Sequence, residues 1–329
     1  AQARLFLRIP RMQSLCQRGE GRRGRGRCGR GPTARRAARV GLTCSLAAAA
    51  VASRWGGMSL ARAPAAWHGI RVITLDATGT LLYHRDPIAE AYCRCAAEAG
   101  VRPPPVDAMR RSFKTAFKAS LQRWPCFGHS AELSTRAWWA HTVREAFEGA
   151  GARYEDAEFA RVFRTVYQHF GSPEGYKVFD DVLPFLDWAS ERFCLGVVSN
   201  NVDRLVDSTL PMLGLHRHLR FYVVSQEVGV EKPDREIFAR ACQEAAGALG
   251  RPVAPGEVLH VGDNYAADYC GARAAGMAAA LLSRSGVTQY QTWLEAPDFE
   301  GKSEEQVRAV ASLAEVQDML SRAGNAPSA

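Results

Sequence analysis

The sequence predicts an α/β protein: a doubly wound parallel sheet interrupted by one long all-helical insertion. Two observations carry this. Five short runs, "IRVITLD" (70–76), "FCLGVVSN" (193–200), "FYVVS" (221–225), "VLHVGD" (258–263) and "AAALLS" (278–283), are almost continuously apolar, as strands covered on both faces must be. Helical patterns separate the later runs, which is the alternation of a parallel sheet with crossover helices.

Taken in order, the first run ends at Asp76, and "DATGTL" follows with a glycine where a sharp turn is needed. Residues 87–175 then show no strand pattern but several amphipathic segments, among them "MRRSFKTAFKASLQRW", "STRAWWAHTVREAFEGA" and "EFARVFRTVYQHF". So long a stretch between consecutive strands is no loop in a compact domain. It reads as a helical subdomain that leaves and rejoins the sheet close to Asp76. In "PDREIFARACQEAAGAL", Ile237, Ala241, Ala245 and Leu249 share a helical face, with Asp234 near the start where the helix dipole favours an acid. "SLAE" at 312–315 reads as a capping box opening a last helix that ends near Gly324. The expected division is an Arg-rich segment at 1–66, a core built from 67–86 and 176–329, and a helical cap at 87–175.

The formal net charge of +8 conceals an asymmetry. Residues 1–66 hold fourteen arginines, no lysine and one acid, Glu20, whereas the remainder carries 28 basic against 33 acidic residues. The globular part therefore has no basic field that would attract nucleic acid. The longest apolar run, "SLAAAAVA" at 45–52, is far shorter than the ~20 residues of a membrane-spanning helix, so no membrane association is expected. Nine scattered cysteines with no CxxC pair point to an intracellular, reducing compartment.

The basic segment reads in three ways: an organelle-targeting peptide, an upstream-start artefact ahead of Met58, or, ranked below both, an RNA-binding Arg-Gly repeat. A start at Met58 implies cytoplasm or nucleus, and a transit peptide implies mitochondrion or chloroplast. Gly24, Gly26 and Gly29 satisfy G-x-G-x-x-G, but no strand precedes them and no apolar helix follows, so a dinucleotide site is rejected.

Four of the five apolar runs lead into a group suited to phosphate chemistry, and in an open parallel sheet those carboxyl ends converge on one crevice. Asp76 ends the first. Ser199 ends the second, followed by Asn200. Lys232 stands in "GVEKPDREIF" after the third, and "GDNYAAD" after the fourth supplies Asp263 and Asp268. A carboxylate approaches a phosphate dianion only if repulsion is neutralised, which Mg²⁺ held by Asp76 and Asp263 would do. Lys232 would add a second positive charge; Ser199 and nearby N–H groups would hold phosphoryl oxygens. Singly, each is ordinary turn or cap chemistry; the succession at strand ends is what signals a site. His260 reads as a satisfied core histidine, and Trp138 and Trp139 as core of the cap.

The set resembles the haloacid dehalogenase-like (HAD) superfamily over residues 70 to about 322. "DATGTL", "VVSN", "VEKPD" and "GDNYAAD" look like its four motifs, and the helical insert is similar to its type 1 cap on a Rossmann-like core. With "CFG" at 126–128 followed by "WW", the pattern is most similar to plant members of one group within it. The resemblance implies Asp76 as nucleophile, Mg²⁺ held by Asp76, the Thr78 carbonyl and Asp263, phosphate contacts from Ser199, Asn200 and Lys232, and Asp268 in support. Phosphatases of the superfamily usually read Asp-x-Asp. Here Thr78 stands at the second position, and its hydroxyl cannot replace a carboxylic acid as proton donor, help worth ~10²–10⁴-fold.

The expected function is therefore a Mg²⁺-dependent phosphatase of a small phosphorylated metabolite, slowed by Thr78. A phosphate-ligand-binding protein with weak turnover is the alternative. A third reading, metal-free dehalogenation, is disfavoured by the acid pair in "GDNYAAD". Neither the oligomeric state nor the substrate is legible.

Overall fold

A computed structural model of the 329-residue chain describes residues 67–284 and 307–324. The Arg-rich segment and Met58 lie outside the described residues.

A six-stranded parallel sheet forms the centre, in the order β5-β4-β1-β6-β7-β8. Its strands are β1 (Val72–Leu75), β4 (Cys194–Ser199), β5 (Phe221–Val224), β6 (Val258–Gly262), β7 (Ala278–Leu282) and β8 (Ala309–Val310). The five apolar runs are thus β1, β4, β5, β6 and β7. β1 is wholly buried and flanked by β4 and β6, so Asp76, just beyond it, emerges at the centre of the sheet. One apolar layer includes Ile73, Leu75, Leu195, Val197 and Val261, and the other Val72, Val198, Val223, Ile237 and Phe238. Alternate residues of one strand feed opposite layers.

Two short strands were not anticipated: β2 (Leu82–His84) and β3 (Tyr176–Val178) pair antiparallel, with Leu82 facing Val178. Three residues of mixed burial carry no readable period. The pair brackets the helical insertion at its exit and re-entry, so the insertion begins beside the Asp76 turn. Within it lie α1 (Ile88–Glu98), α2 (Val106–Arg123), α3 (Thr135–Gly149) and α4 (Asp156–His169). They bury their own apolar cluster of Tyr92, Met109, Val143, Phe147, Val162 and Phe163. Helix α3 starts at Ser134, whose hydroxyl accepts from the Ala137 N–H, and α4 at a capping box formed by Glu155 and Glu158.

Helix α5 (Val182–Ser190) covers one face of the sheet, and α6 (Arg235–Leu249) the other. In α6, Asp234 caps the first turn by accepting from the Glu236 N–H, and Ile237, Ala241 and Ala245 are buried as the periodicity requires. The final helix, α7 (Leu313–Arg322), departs from the expected reciprocal box in one detail. Ser312 accepts from the Glu315 N–H, but the Glu315 carboxylate takes the N–H of Ala311 rather than of Ser312.

Candidate active site

Asp76 leaves the sheet at the end of β1, where its N–H still donates to the Val261 carbonyl of β6 (2.9 Å). The chain then turns at Gly79 (φ +92°), a conformation that favours glycine. A side chain there is also excluded by space, because a Cβ on Gly79 would overlap the Asp263 carboxylate. The close approach of this turn to Asp263 brings the loops after β1 and β6 together.

Lys232 lies at the middle of the cluster. Its Nζ, almost fully buried, donates to Asp76 Oδ1 (2.7 Å), Asp268 Oδ1 (2.6 Å) and the Val198 carbonyl (2.8 Å). All three ammonium protons are thereby used. Asn200 fixes the lysine backbone from both sides: its Nδ2 donates to the Lys232 carbonyl (2.9 Å) and its Oδ1 accepts from the Lys232 N–H (2.7 Å). The Asn200 side chain thus positions Lys232. Ser199 sits buried at the last position of β4, adjacent to this clamp.

Asp268 is saturated. Its Oδ1 accepts from Lys232 and meets His260 Nε2 at 3.1 Å, while Oδ2 accepts from the Asn264 N–H (2.9 Å). His260 in turn reaches Thr74 Oγ1 through Nδ1 (2.9 Å). The reading of His260 as a satisfied core histidine therefore holds, but one of its partners is a carboxylate of the site. Thr74 and His260 meet because they are register neighbours on β1 and β6.

Oxygens of Asp76, Asp263 and Asp268 all lie within 4.8 Å of one another. Burial opposes ionisation of Asp268, but Lys232 and His260 outweigh it and hold its carboxyl below the ordinary range. Burial likewise disfavours the charge on Lys232, yet Asp268 and Asp76 keep the ammonium protonated well above its usual value. Asp76 is pushed up by burial against the pull of Lys232, and Asp263 well up by burial and then by Asp76 and Asp268. Three carboxylates thus share one lysine, a charge deficit that a divalent cation between Asp76 and Asp263 would remove.

Several contributors escaped the sequence reading. Arg284, just after β7, pairs with Asp181 (2.8 Å) and donates to the Thr80 carbonyl (2.9 Å), anchoring the loop that carries Gly79. Gln226 joins insertion to core: its Nε2 donates to the Phe127 carbonyl (3.3 Å), and its Oε1 lies 2.7 Å from the Thr135 hydroxyl. Thr78 and Asn200 both line a cavity of about 310 Å³ whose remaining walls come largely from the insertion. Trp138 is wholly buried as expected. Trp139 is not simply core, since it forms part of that cavity wall.

A parallel sheet whose strand ends gather an aspartate, a buried lysine and an acidic pair beneath a helical insertion defines a hydrolase of the haloacid dehalogenase-like type, and the chain belongs to that family, whose model matches residues 70–276. Among its relatives are two proteins called haloacid dehalogenase-like hydrolase domain-containing protein 3. The one from Homo sapiens is 34% identical over 213 residues, covering 65% of this chain and 82% of that protein. The one from Danio rerio is 31% identical over 215 residues, covering 65% and 86%. Among solved structures, a 2-haloacid dehalogenase from Pseudomonas syringae pv. Tomato DC3000 has a TM-score of 0.53 at 22% identity, over 77% of this chain and 99% of that one. The HAD hydrolase YfnB from Bacillus subtilis has the same TM-score at 19% identity, over 76% and 98%. Among the described residues no helix is long and apolar enough to cross a membrane.

Proposed function

We propose that this hydrolase is a Mg²⁺-dependent phosphatase of a small phosphomonoester, acting through an aspartyl-phosphate, with residues 87–175 as its cap. The observation that carries the reading is the charge deficit around Asp76: three carboxylates within 4.8 Å and a single buried lysine. The second acid, Asp263, beside Asp76 favours a site that holds a divalent cation over metal-free dehalogenation.

With Asp76 Oδ1 held by Lys232, Oδ2 is the oxygen free to attack phosphorus. As the new O–P bond forms, the ester P–O bond breaks and its electron pair leaves with the alcohol oxygen. Water then attacks phosphorus of the acyl phosphate, releasing inorganic phosphate and restoring the Asp76 carboxylate. Lys232 favours the ionised form of Asp76 against its burial and offsets charge on the phosphoryl oxygens; Ser199, at the end of β4, would hold one of them. Asp76, Asp263 and the Thr78 carbonyl would hold Mg²⁺, whose charge would neutralise the phosphate dianion. Asp268 positions Lys232 rather than touching substrate. Thr78 donates no proton at neutral pH, so the departing oxygen leaves unassisted.

The test is phosphate release by the full chain from a panel of phosphomonoesters, with Mg²⁺ and with chelator, alongside Asp76→Asn. Release that needs both Mg²⁺ and Asp76 is expected. Equal release by the variant overturns the proposal.

A further inference from the structure

We infer that the substrate is an aryl phosphomonoester, its ring seated in the aromatic cavity above Thr78; this rests on the phosphatase reading just given. Two independent observations converge on that class.

The first is the lining of the cavity. Nine Phe, Tyr and Trp residues surround its volume of about 310 Å³, including Phe113, Phe117, Phe127, Trp139, Tyr167 and Phe170. Rings at such spacing, with Phe117 5.8 Å from Trp139 and Phe113 5.7 Å from Phe117, offer both faces and edges to an incoming ring. The charged residue of the wall, Arg204, has its guanidinium carbon 3.9 Å from the centroid of the Tyr167 ring, so its charge is already engaged by an aromatic neighbour. His84 adds no charge near neutrality, because burial and then His169 lower it to about 4. The wall is mainly aromatic and aliphatic, with Thr78, His84, Asn200, Asn201, Arg204 and Thr209 as its polar members, so a ring matches more of it than a sugar or polyol, whose hydroxyls would face apolar rings over most of the surface. The backbone supports a shaped pocket: Cys126 and Phe127 both have positive φ (49° and 53°), a strained conformation outside glycine, and Phe127 is one of the lining residues.

The second is Thr78, which lines the same cavity two residues beyond Asp76 and carries a hydroxyl, not a carboxylic acid, toward any leaving group seated there. An alkyl alkoxide leaves poorly without a proton. A phenol ionises near pH 10, so an aryloxide departs with the bond pair and takes its proton from solvent afterwards. The ring therefore matches the wall, and its oxygen removes the need for an acid at position 78, where the chain has threonine.

The experiment compares kcat/KM of the full chain, with Mg²⁺, for 1-naphthyl phosphate, glycerol 3-phosphate and acetyl phosphate. Acetyl phosphate has a good leaving group but no ring, which separates leaving-group chemistry from the cavity. We expect 1-naphthyl phosphate to exceed glycerol 3-phosphate by roughly a hundredfold or more and acetyl phosphate by about tenfold. Phe117→Ser should lower the naphthyl-to-acetyl ratio by about tenfold and Phe117→Leu should retain it. In parallel, 1-naphthyl phosphate, but not inorganic phosphate, should raise the melting temperature of Asp76→Asn, or of the unaltered chain without divalent cation. Turnover of acetyl phosphate through Asp76 with no aryl preference overturns the inference and leaves the phosphatase standing. Stabilisation by naphthyl phosphate without any hydrolysis supports the cavity and overturns the phosphatase. Neither hydrolysis nor stabilisation overturns both.

Discussion

The Thr74 hydroxyl lies 2.9 Å from His260 Nδ1, deep between two neighbouring strands of the sheet. Asp268 is ionised and can only accept, so the single proton of the neutral imidazole sits on Nε2 facing it, and Nδ1 must accept from Thr74. A hydroxyl under the sheet thereby sets the tautomer of a histidine, which holds a carboxylate, which holds the lysine at Asp76. Thr74→Val removes the donor and leaves a buried nitrogen unpaired. A loss of about 1–3 kcal/mol in urea unfolding is expected; an unaltered midpoint would show that the chain of bonds carries no weight.

Lys232 is buried between Asp76 and Asp268, and truncating it strands two carboxylates away from water. Lys232→Met should cost about 3–5 kcal/mol of stability and abolish phosphate release. The double variant Lys232→Met with Asp268→Asn should recover part of that stability but no activity, measured by denaturation and by phosphate assay on the same preparations.

Gly79 combines a φ of +92° with the absence of room for a methyl group beside Asp263. Gly79→Ala must therefore either strain the turn, at about 1–2 kcal/mol, or displace Asp263. Calorimetric titration with Mg²⁺ should show weakened binding; affinity equal to that of the unaltered chain would mean that Asp263 does not depend on the turn.

Thr78→Asp introduces a carboxylic acid at the position that lacks one. Turnover of glycerol 3-phosphate should rise by ~10²–10⁴-fold, while an aryl ester, which departs unaided, should change far less. A uniform rise for both esters would place the defect elsewhere.

His84 has its folded-state pKa lowered to about 4 by burial and then by His169, against 6.5 for the unperturbed ring. The unfolded chain takes up a proton below about pH 6.5 that the folded chain refuses. The stabilisation linked to this ring is complete above pH 6.5 and declines as pH falls toward 4. Melting temperatures over that window should drop less steeply for His84→Gln than for the unaltered chain.

The sequence by itself determined the parallel core. β1, β4, β5, β6 and β7 are written as apolar runs, because a strand covered on both faces tolerates almost nothing else. Asp76, Ser199 and Lys232 and the acids of "GDNYAAD" were legible for the same reason, as polar residues arriving where such runs stop. Tertiary structure alone decided what they touch. Asn200 grips the lysine backbone instead of lying free, and Thr74 gains its partner through strand register. Trp139 becomes cavity wall because four helices leave a gap that no local period encodes. Side-chain type and spacing report whether a residue is buried; which neighbour it meets depends on contacts between segments far apart in the chain, as from Asp76 to Lys232.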